Sequence, residues 1–279
     1  MKVFEIYGRM ILFKTETRLI LKRRKIMYYY YFYSFIIYSF IGWVTEVSYH
    51  IYKLKNFANR GFLYGPICPI YGGTAVILIF FLTPYSNNEF ITFFGGALIA
   101  SIIEYGTGYA MEKMFHAKWW DYSDEKFNIK GYICLKFSIL WGFMSLIFIK
   151  YVNPNISNIT YYLMNNMGEV LYNILLVLFI TDVVLTINGL ITFRKLFTEL
   201  QEVIIERTED LEKLNIASLN KEIKDEISER LGILHEIKER LLNRISVKQK
   251  HFLKAFPHIS SNKFQQALED LISKINNIN

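Results

Sequence analysis

The chain has 279 residues, of which 52% are hydrophobic and 20% charged, and its mean hydropathy is +0.20. Soluble globular domains carry about 25% charged residues, so this composition argues against a purely soluble protein. Two cysteines exclude a disulfide scaffold. The 20 Tyr and 23 Phe residues are typical of side chains that collect at membrane interfaces. We therefore expect an all-α, polytopic helical membrane protein that carries a helical appendage.

The net positive charge lies at the start of the chain. Residues 1–27 hold 8 Lys/Arg and 2 acids, whereas residues 28–193 hold 9 of each and residues 194–279 hold 15 and 14. This basic segment is not accompanied by an aromatic-basic motif of the kind that binds nucleic acid. We expect no nucleic-acid partner.

Five stretches are long and apolar enough to cross a bilayer, which takes about 20 residues. They cover residues 27–49, 62–83, 90–111, 132–152 and 170–193. Residues 27–193 are therefore predicted to form a transmembrane domain, preceded by a basic tail (1–26) and followed by an appendage (194–279). The first stretch is too rich in tyrosine for a cleaved signal peptide. We expect a multi-pass protein of the cell membrane, in contact with the lipid bilayer.

The positive-inside rule does not fix the orientation of these spans. The cytoplasmic face would receive 9 Lys/Arg with the N-terminus inside and 11 with it outside. A translation start at Met27 would change the comparison to 11 against 1, which favours a cytoplasmic C-terminal region. A sixth element, either a re-entrant loop or an interfacial helix at the N-terminus, is the alternative to five spans.

The appendage has the apolar periodicity of coiled-coil helices. Apolar residues recur at three- and four-residue steps over 200–214 and again over 223–245. The weak break from Asn215 to Asn220 would fold these runs into an antiparallel hairpin, and Ser260 or Ser261 would cap a last helix. The pattern favours self-association into a homo-oligomer or a regulatory role, and docking of a specific partner is the alternative.

Most of the unusual residues are predicted to share one membrane face. With five spans, the loops around residues 50–61 and 112–131 lie on the same side as the appendage. A structural pairing of Arg60 with Glu46, and an interfacial anchor formed by Trp119 and Trp120, are the alternatives to a binding role. The candidate substrate-binding residues are Glu46, Arg60, Tyr64, Glu104, Glu112, Trp119, Trp120, Asp121 and Asp182.

Two of these acids, Glu104 and Asp182, fall well inside predicted spans. Acids in a span usually face the bundle interior or a watery cavity, because insertion costs about 2.5–3.5 kcal/mol. Lys136, near the start of the fourth span, is the cation that we expect to neutralise one of them. Pro66 and Pro69 predict a broken or re-entrant start of the second span, since irregular backbone at that depth must be covered by protein or water.

The sequence has no motif for cofactor chemistry or nucleophilic catalysis. It contains no G-x-x-x-x-G-K segment and no Ser-His-Asp pattern, so we name no catalytic residue and expect no cofactor. His50, Cys68, His116 and Cys134 fall near one membrane level, but their spacing matches no zinc motif. We expect no metal site.

Several motifs in a fixed order give the chain a family resemblance. They are Tyr38–Trp43 followed by Glu46, the run NRGFLYGPICPIYG at 59–72, Glu104 and Glu112, WWDYSDEKFNIKGYICL at 119–135, and Trp141-Gly142. Over about residues 32–154 the chain resembles the ABC-transporter type IV membrane proteins, which carry the label ABC transporter permease. The resemblance implies a permease but brings no established catalytic residues.

Three functions follow from these observations. The first is the membrane subunit of an ABC-type transporter, with a separate ATPase subunit as partner and an unidentified substrate. The second is a membrane scaffold or sensor that works through its C-terminal helices. The third is an intramembrane enzyme acting on lipid, in which Glu46, Glu104, Glu112 and Asp121 would perform acid-base chemistry.

Overall fold

A computed structural model describes residues 2–214, 221–244, 247–256, 259–261 and 264–278. The described chain is helical apart from loops and two strands of two residues each, which confirms the prediction of an all-helical protein. Within it, three helical segments are long and apolar enough to cross a membrane, at Glu89–Phe115, Leu135–Asn166 and Gly168–Leu214. Pro69–Tyr85 is a shorter apolar helix. The count of five spans stays a prediction.

Two long connections, residues 55–68 and residues 116–134, interrupt an otherwise closely spaced series of helices. The helices are α1 (Lys2–Leu54), α2 (Pro69–Leu82), α3 (Glu89–Phe115), α4 (Leu135–Ile147), α5 (Asn153–Asn166), α6 (Gly168–Leu214), α7 (Lys221–Asn243), α8 (Val247–Ala255) and α9 (Gln265–Ile278). A 3₁₀ turn (Thr83–Tyr85) follows α2, and a π-helical turn (Phe148–Val152) joins α4 to α5. Strands β1 (Asn128–Ile129) and β2 (Ile133–Cys134) form a small antiparallel hairpin.

Helix α1 runs through the predicted boundary between the basic tail and the first span. Its sequence contains no proline and a single glycine, Gly8, so nothing in it interrupts the ladder of backbone hydrogen bonds. The chain is therefore helical from Lys2 onward, and the first predicted span is the second half of this one helix. The division into three domains stays a prediction.

The second apolar stretch has the interrupted start that its prolines predicted. Residues 62–68 are non-helical, and α2 begins at Pro69, where the missing N–H is one that a helix leaves unpaired anyway. Helix α2 packs tightly on α1 at Gly72. A Cβ atom there would collide with the Ser39 hydroxyl and the Phe35 carbonyl oxygen. The glycine therefore sets the distance between the two helices.

The fourth apolar segment is longer than the sequence pattern predicted. Residues 153–166, expected to be a loop, continue as α5 beyond the π-helical turn. Its polar side chains bond within the helix or to α1: Ser157 donates to the Asn153 carbonyl oxygen (2.7 Å), and the Tyr38 hydroxyl donates to Asn153 Oδ1 (3.0 Å). These hydrogen bonds give the polar side chains of α5 partners within the protein.

The appendage folds back on the membrane domain. Helix α7 runs antiparallel to the end of α6, because Arg230 pairs with Asp210 (3.0 Å) and Arg244 pairs with Glu199 (3.4 Å). This agrees with the predicted hairpin, whose break at Asn215–Asn220 lies outside the described residues. The Ser261 hydroxyl accepts a hydrogen bond from the Phe264 amide (3.1 Å), which confirms the predicted cap before α9.

One apolar core joins the appendage to the loops of the membrane domain. It contains side chains from α6, α7, α8 and α9 and from the loop between α3 and α4. Its most buried members include Phe193, Leu200, Phe252, Phe264, Leu268, Leu271 and Trp119. The appendage and these loops are therefore packed as one unit.

Candidate functional site

Glu104 lies at the interface of α3 and α4, with 9% of its surface exposed. Its carboxylate accepts hydrogen bonds from Trp141 Nε1 (2.8 Å) and from the Tyr122 hydroxyl (3.1 Å). Nearby along α3, the Ser101 hydroxyl donates to the Ser138 hydroxyl of α4 (2.8 Å). A buried acid requires hydrogen-bond donors, and the neutral side chains of Trp141 and Tyr122 supply them to Glu104.

Glu46 lies on α1 and contacts α2 and the loop that precedes α2. It accepts a hydrogen bond from the Tyr71 hydroxyl (2.5 Å), and its second oxygen lies 4.0 Å from Arg60 Nε. The expected pairing of Arg60 with Glu46 is therefore present. The ring of Tyr71 lies directly against Gly42, where a Cβ atom would collide with it. Glycine at this position brings the phenol within reach of Glu46, one helical turn further on.

Glu46 and Glu104 both raise the pKa of the same phenol, that of Tyr122. Burial raises the pKa of Tyr122 above its ordinary value, the hydrogen-bonded Glu104 carboxylate raises it further, and Glu46 adds to the effect. Tyr122 therefore stays protonated and donates its proton as a hydrogen bond. We call Glu46, Tyr71, Glu104 and Tyr122 the carboxylate–tyrosine cluster. It gathers two acids and two phenols from α1, α2, α3 and the following loop.

Asp182, in α6, anchors the irregular segment before α2. Its two oxygens accept hydrogen bonds from the backbone amides of Tyr64 (3.1 Å) and Gly65 (3.0 Å). The Thr186 hydroxyl lies 3.3 Å from the same Tyr64 amide. A Cβ atom at Gly65 would come within 2.7 Å of Asp182 Oδ2, so glycine permits this approach. We call residues 59–68 the entrance loop, which Asp182 holds against the first third of α6.

Further contacts fix the shape of the entrance loop. Asn59 Oδ1 accepts hydrogen bonds from Trp43 Nε1 (2.6 Å) and the Gly61 amide (3.0 Å), and Asn59 Nδ2 donates to the Tyr64 carbonyl oxygen (2.8 Å). Arg60 Nη1 donates to the carbonyl oxygen of Ala255 at the end of α8. The loop is therefore tied to α1 on one side and to the appendage on the other.

Tyr64 and Trp119 lie beneath α8. The Tyr64 ring contacts His251 and Phe252, with centroid separations of 5.5 Å to each. The Trp119 ring is 5% exposed and lies 4.6 Å from Phe256. The prediction of an interfacial anchor is wrong for Trp119, because the folded-back appendage, which the sequence pattern did not position, covers this side chain.

The remaining candidates, Glu112, Trp120 and Asp121, organise the loop between α3 and α4. Glu112 accepts a hydrogen bond from the Tyr132 hydroxyl (2.8 Å), and Trp120 Nε1 donates to the Tyr132 carbonyl oxygen (2.9 Å). Burial opposes ionisation of Asp121, but hydrogen bonds from Ser123 and Lys118 outweigh it and lower the pKa of this carboxyl. These three residues lie in or beside the loop, outside the carboxylate–tyrosine cluster.

Lys136 does not neutralise either intramembrane acid. Its ammonium pairs with Glu125 of the preceding loop (2.8 Å), and the lysine side chain is 66% exposed. The expectation is wrong because α4 begins at Leu135, so Lys136 lies in its first turn beside the loop. Glu104 is instead met by neutral donors and Asp182 by backbone amides.

Sequence reasoning missed three members of the site: Tyr71, Tyr122 and Trp141. All three lie inside the motifs that carried the family resemblance, at 59–72, 119–135 and 141–142. The chemistry of the motifs could have identified these residues. A buried carboxylate requires hydrogen-bond donors, and the motifs supply phenols and an indole. Within the described part of the chain, no group of three or more His, Cys, Asp or Glu is placed to hold a metal ion.

The motifs that build this site also relate the chain to known proteins. Comparison with curated proteins gives no match, and comparison with solved structures gives none. The family described as "Putative ABC-transporter type IV" matches residues 33–187, which is more than half of the 279-residue chain. The matched region includes the carboxylate–tyrosine cluster, the entrance loop and Asp182. The chain is therefore a member of this ABC-transporter type IV family, and with its long apolar helices it is a membrane protein of transporter type.

Proposed function

We propose that this protein is the membrane subunit, or permease, of an ABC-type transporter that works with a separate ATPase subunit. The observation that carries the proposal is Glu104, a carboxylate buried inside an apolar helix and met only by polar groups of its own bundle in the described structure. Acids kept in a span at such cost usually mark a substrate or ion pathway. Membership of the family supports the same assignment.

The carboxylate–tyrosine cluster would form a polar point on the substrate path. Its four side chains present two carboxylates and two phenols, a set rich in hydrogen-bond acceptors. The cluster therefore suits a substrate with a cationic or hydrogen-bond-donating group. Arg60 already compensates part of the charge of Glu46, at 4.0 Å, which leaves Glu104 as the stronger candidate contact.

The orientation and location follow from the same proposal. We place the C-terminal helices in the cytoplasm and the spans in the cell membrane, the orientation that gives the cytoplasmic face 11 Lys/Arg instead of 9. In that arrangement the appendage, packed on the entrance loop through Ala255 and Phe252, would lie where an ATPase could reach it.

Two substitutions at Glu104 test its role. Glu104→Gln keeps the size and one acceptor oxygen, so we expect near-normal membrane abundance with loss of activity. Glu104→Leu leaves two buried donors, Trp141 Nε1 and the Tyr122 hydroxyl, without an acceptor, at about 1–3 kcal/mol each. A purely structural role predicts full activity of the Gln protein and low abundance of the Leu protein.

Growth phenotype and membrane abundance, measured for both variants, distinguish these outcomes. Glu89→Gln is the matched control, because Glu89 lies at the other end of α3 and forms an exposed ion pair with Lys150. Full activity of Glu104→Gln would remove Glu104 from the proposed path. Mild purification followed by mass spectrometry tests the ATPase, and its consistent absence would contradict the transporter assignment.

A membrane scaffold that works through its C-terminal helices is the second candidate function. The observation that favours it is an apolar patch on α7, where Ile233 and Ile237 are 54% and 37% exposed. Replacing both with Glu would leave the spans and the cluster unchanged. Loss of the phenotype in this double variant, together with full activity of Glu104→Gln, would favour the scaffold over the permease.

A further inference from the structure

A groove of about 550 Å³ lies between the end of α3 and the face of α6, outside the carboxylate–tyrosine cluster. Its apolar lining includes Met114, Ile187 and Ile191. These three side chains are 51%, 39% and 47% exposed, so none of them is sealed by the protein. Its volume is in the range of pockets that hold small molecules, about 300–1,000 Å³.

The groove changes from apolar to cationic along α6. Ile187, Ile191, Lys195 and Thr198 lie on one face of the helix because they are three or four residues apart. At 1.5 Å per residue, Ile187 and Lys195 are separated by about 12 Å along the axis. Arg194 and Lys195 follow directly after the predicted end of the fifth span at residue 193. This order, apolar inside and cationic at the boundary, matches that of a phospholipid with its chain in the bilayer and its phosphate at the surface.

The charges around the rim leave a positive surplus. Arg194 is fixed by hydrogen bonds to the Met114 carbonyl oxygen (3.0 Å) and His116 Nε2 (2.9 Å), and a guanidinium has further N–H groups to offer. Among the described residues, no carboxylate lies within ion-pair distance of Lys195. The one acid among the groove residues, Glu199, is paired with Arg244, which directly follows α7.

We propose that this groove binds an anionic phospholipid of the leaflet next to the appendage. The acyl chain lies along Met114, Ile187 and Ile191, and the phosphate is bound by Arg194 and Lys195. Basic sites between helices at a membrane surface attract acidic head groups, and each nearby Lys or Arg strengthens binding about fivefold. The apolar half of the groove selects a lipid over a free anion, because inorganic phosphate has no acyl chain to contact these side chains.

The test uses the full chain, purified in detergent and stripped of lipid, with bound lipid counted by native mass spectrometry. The probes are phosphatidylglycerol and phosphatidylcholine with identical chains. We expect one tightly held phosphatidylglycerol, bound about 25-fold more tightly than phosphatidylcholine, because each of the two cations contributes about fivefold and the choline of phosphatidylcholine cancels the charge of its phosphate. Lys195→Ala should weaken phosphatidylglycerol about fivefold and leave phosphatidylcholine unchanged.

Lys113→Ala is the matched control. Lys113 precedes Met114 on α3, is exposed, and has its ammonium over the Tyr109 ring instead of on the groove. This variant should retain wild-type binding. Ile191→Trp, which fills the apolar part, should weaken both lipids, and an unchanged thermal transition in each variant shows that the fold is intact.

Four results would overturn the proposal. They are equal binding of the two lipids, equal effects of Lys113→Ala and Lys195→Ala, no effect of Ile191→Trp, and displacement of phosphatidylglycerol by millimolar inorganic phosphate. The last result would identify a simple anion site. None of these outcomes depends on transport activity, so they are independent of the proposed permease function.

Discussion

Removal of the Asp182 carboxylate should release the entrance loop while the helices stay folded. Asp182 accepts hydrogen bonds from two backbone amides, those of Tyr64 and Gly65, at 3.1 and 3.0 Å. Hydrogen bonds to a charged group contribute about 1.5–3 kcal/mol each, so Asp182→Ala should lower the free energy of local opening by about 3 kcal/mol or more. At about 1.4 kcal/mol per tenfold change, amide exchange at these two positions should accelerate by roughly 150-fold.

Hydrogen exchange of a peptide covering residues 60–66, followed by mass spectrometry, measures this change. Asp182→Asn keeps a single acceptor oxygen, so we expect about half the loss of free energy and roughly tenfold faster exchange. Peptides from α3 serve as the internal control, because Asp182 makes no hydrogen bond to that helix in the described structure. Unchanged exchange at residues 60–66 in Asp182→Ala, or equal acceleration in α3, would refute this account of the entrance loop.

Two further predictions concern pH and helix packing. Burial lowers the pKa of His251 below its ordinary value of 6.5, so docking of α8 on Tyr64 is fully stable above about pH 6.5 and weakens as the pH falls below it. Limited proteolysis of the appendage at pH 7.5 and 5.5 measures this, and His251→Phe should flatten the difference. Gly72→Ala should destabilise the protein by about 1–3 kcal/mol, because its Cβ atom would collide with the Ser39 hydroxyl and the backbone of α1. A Cβ atom at Gly73 would face open space, so Gly73→Ala should be neutral or stabilising. Thermal transitions compare the two glycine variants, and equal effects would contradict the packing argument.

The helices and their caps could be predicted from the sequence because the signals are local. Apolar length identified the three long apolar segments, the two prolines indicated the interrupted start of α2, and Ser261 was identified as a cap. The pairing of Arg60 with Glu46 was also expected, since a cation in the loop faces an acid near the end of a span.

The long-range arrangement could not be predicted because it leaves no periodic signal. Tyr71 resembles any other residue of an apolar run, yet its contact with Gly42 directs its hydroxyl to Glu46. Trp119 resembles a residue at a membrane surface until α8 is placed over it. Lys136 was paired with the wrong acid because a count of charges does not show that neutral donors satisfy Glu104.

The uninterrupted course of α6 makes it a mechanical link between the membrane and the appendage. Asp182, which holds the entrance loop, and Asp210, which pairs with α7, belong to the same helix and are 28 residues apart in sequence. At 1.5 Å per residue this is about 42 Å of continuous backbone. A rod of that length is stiff, so α6 offers a direct mechanical route from the entrance loop to the contact with α7.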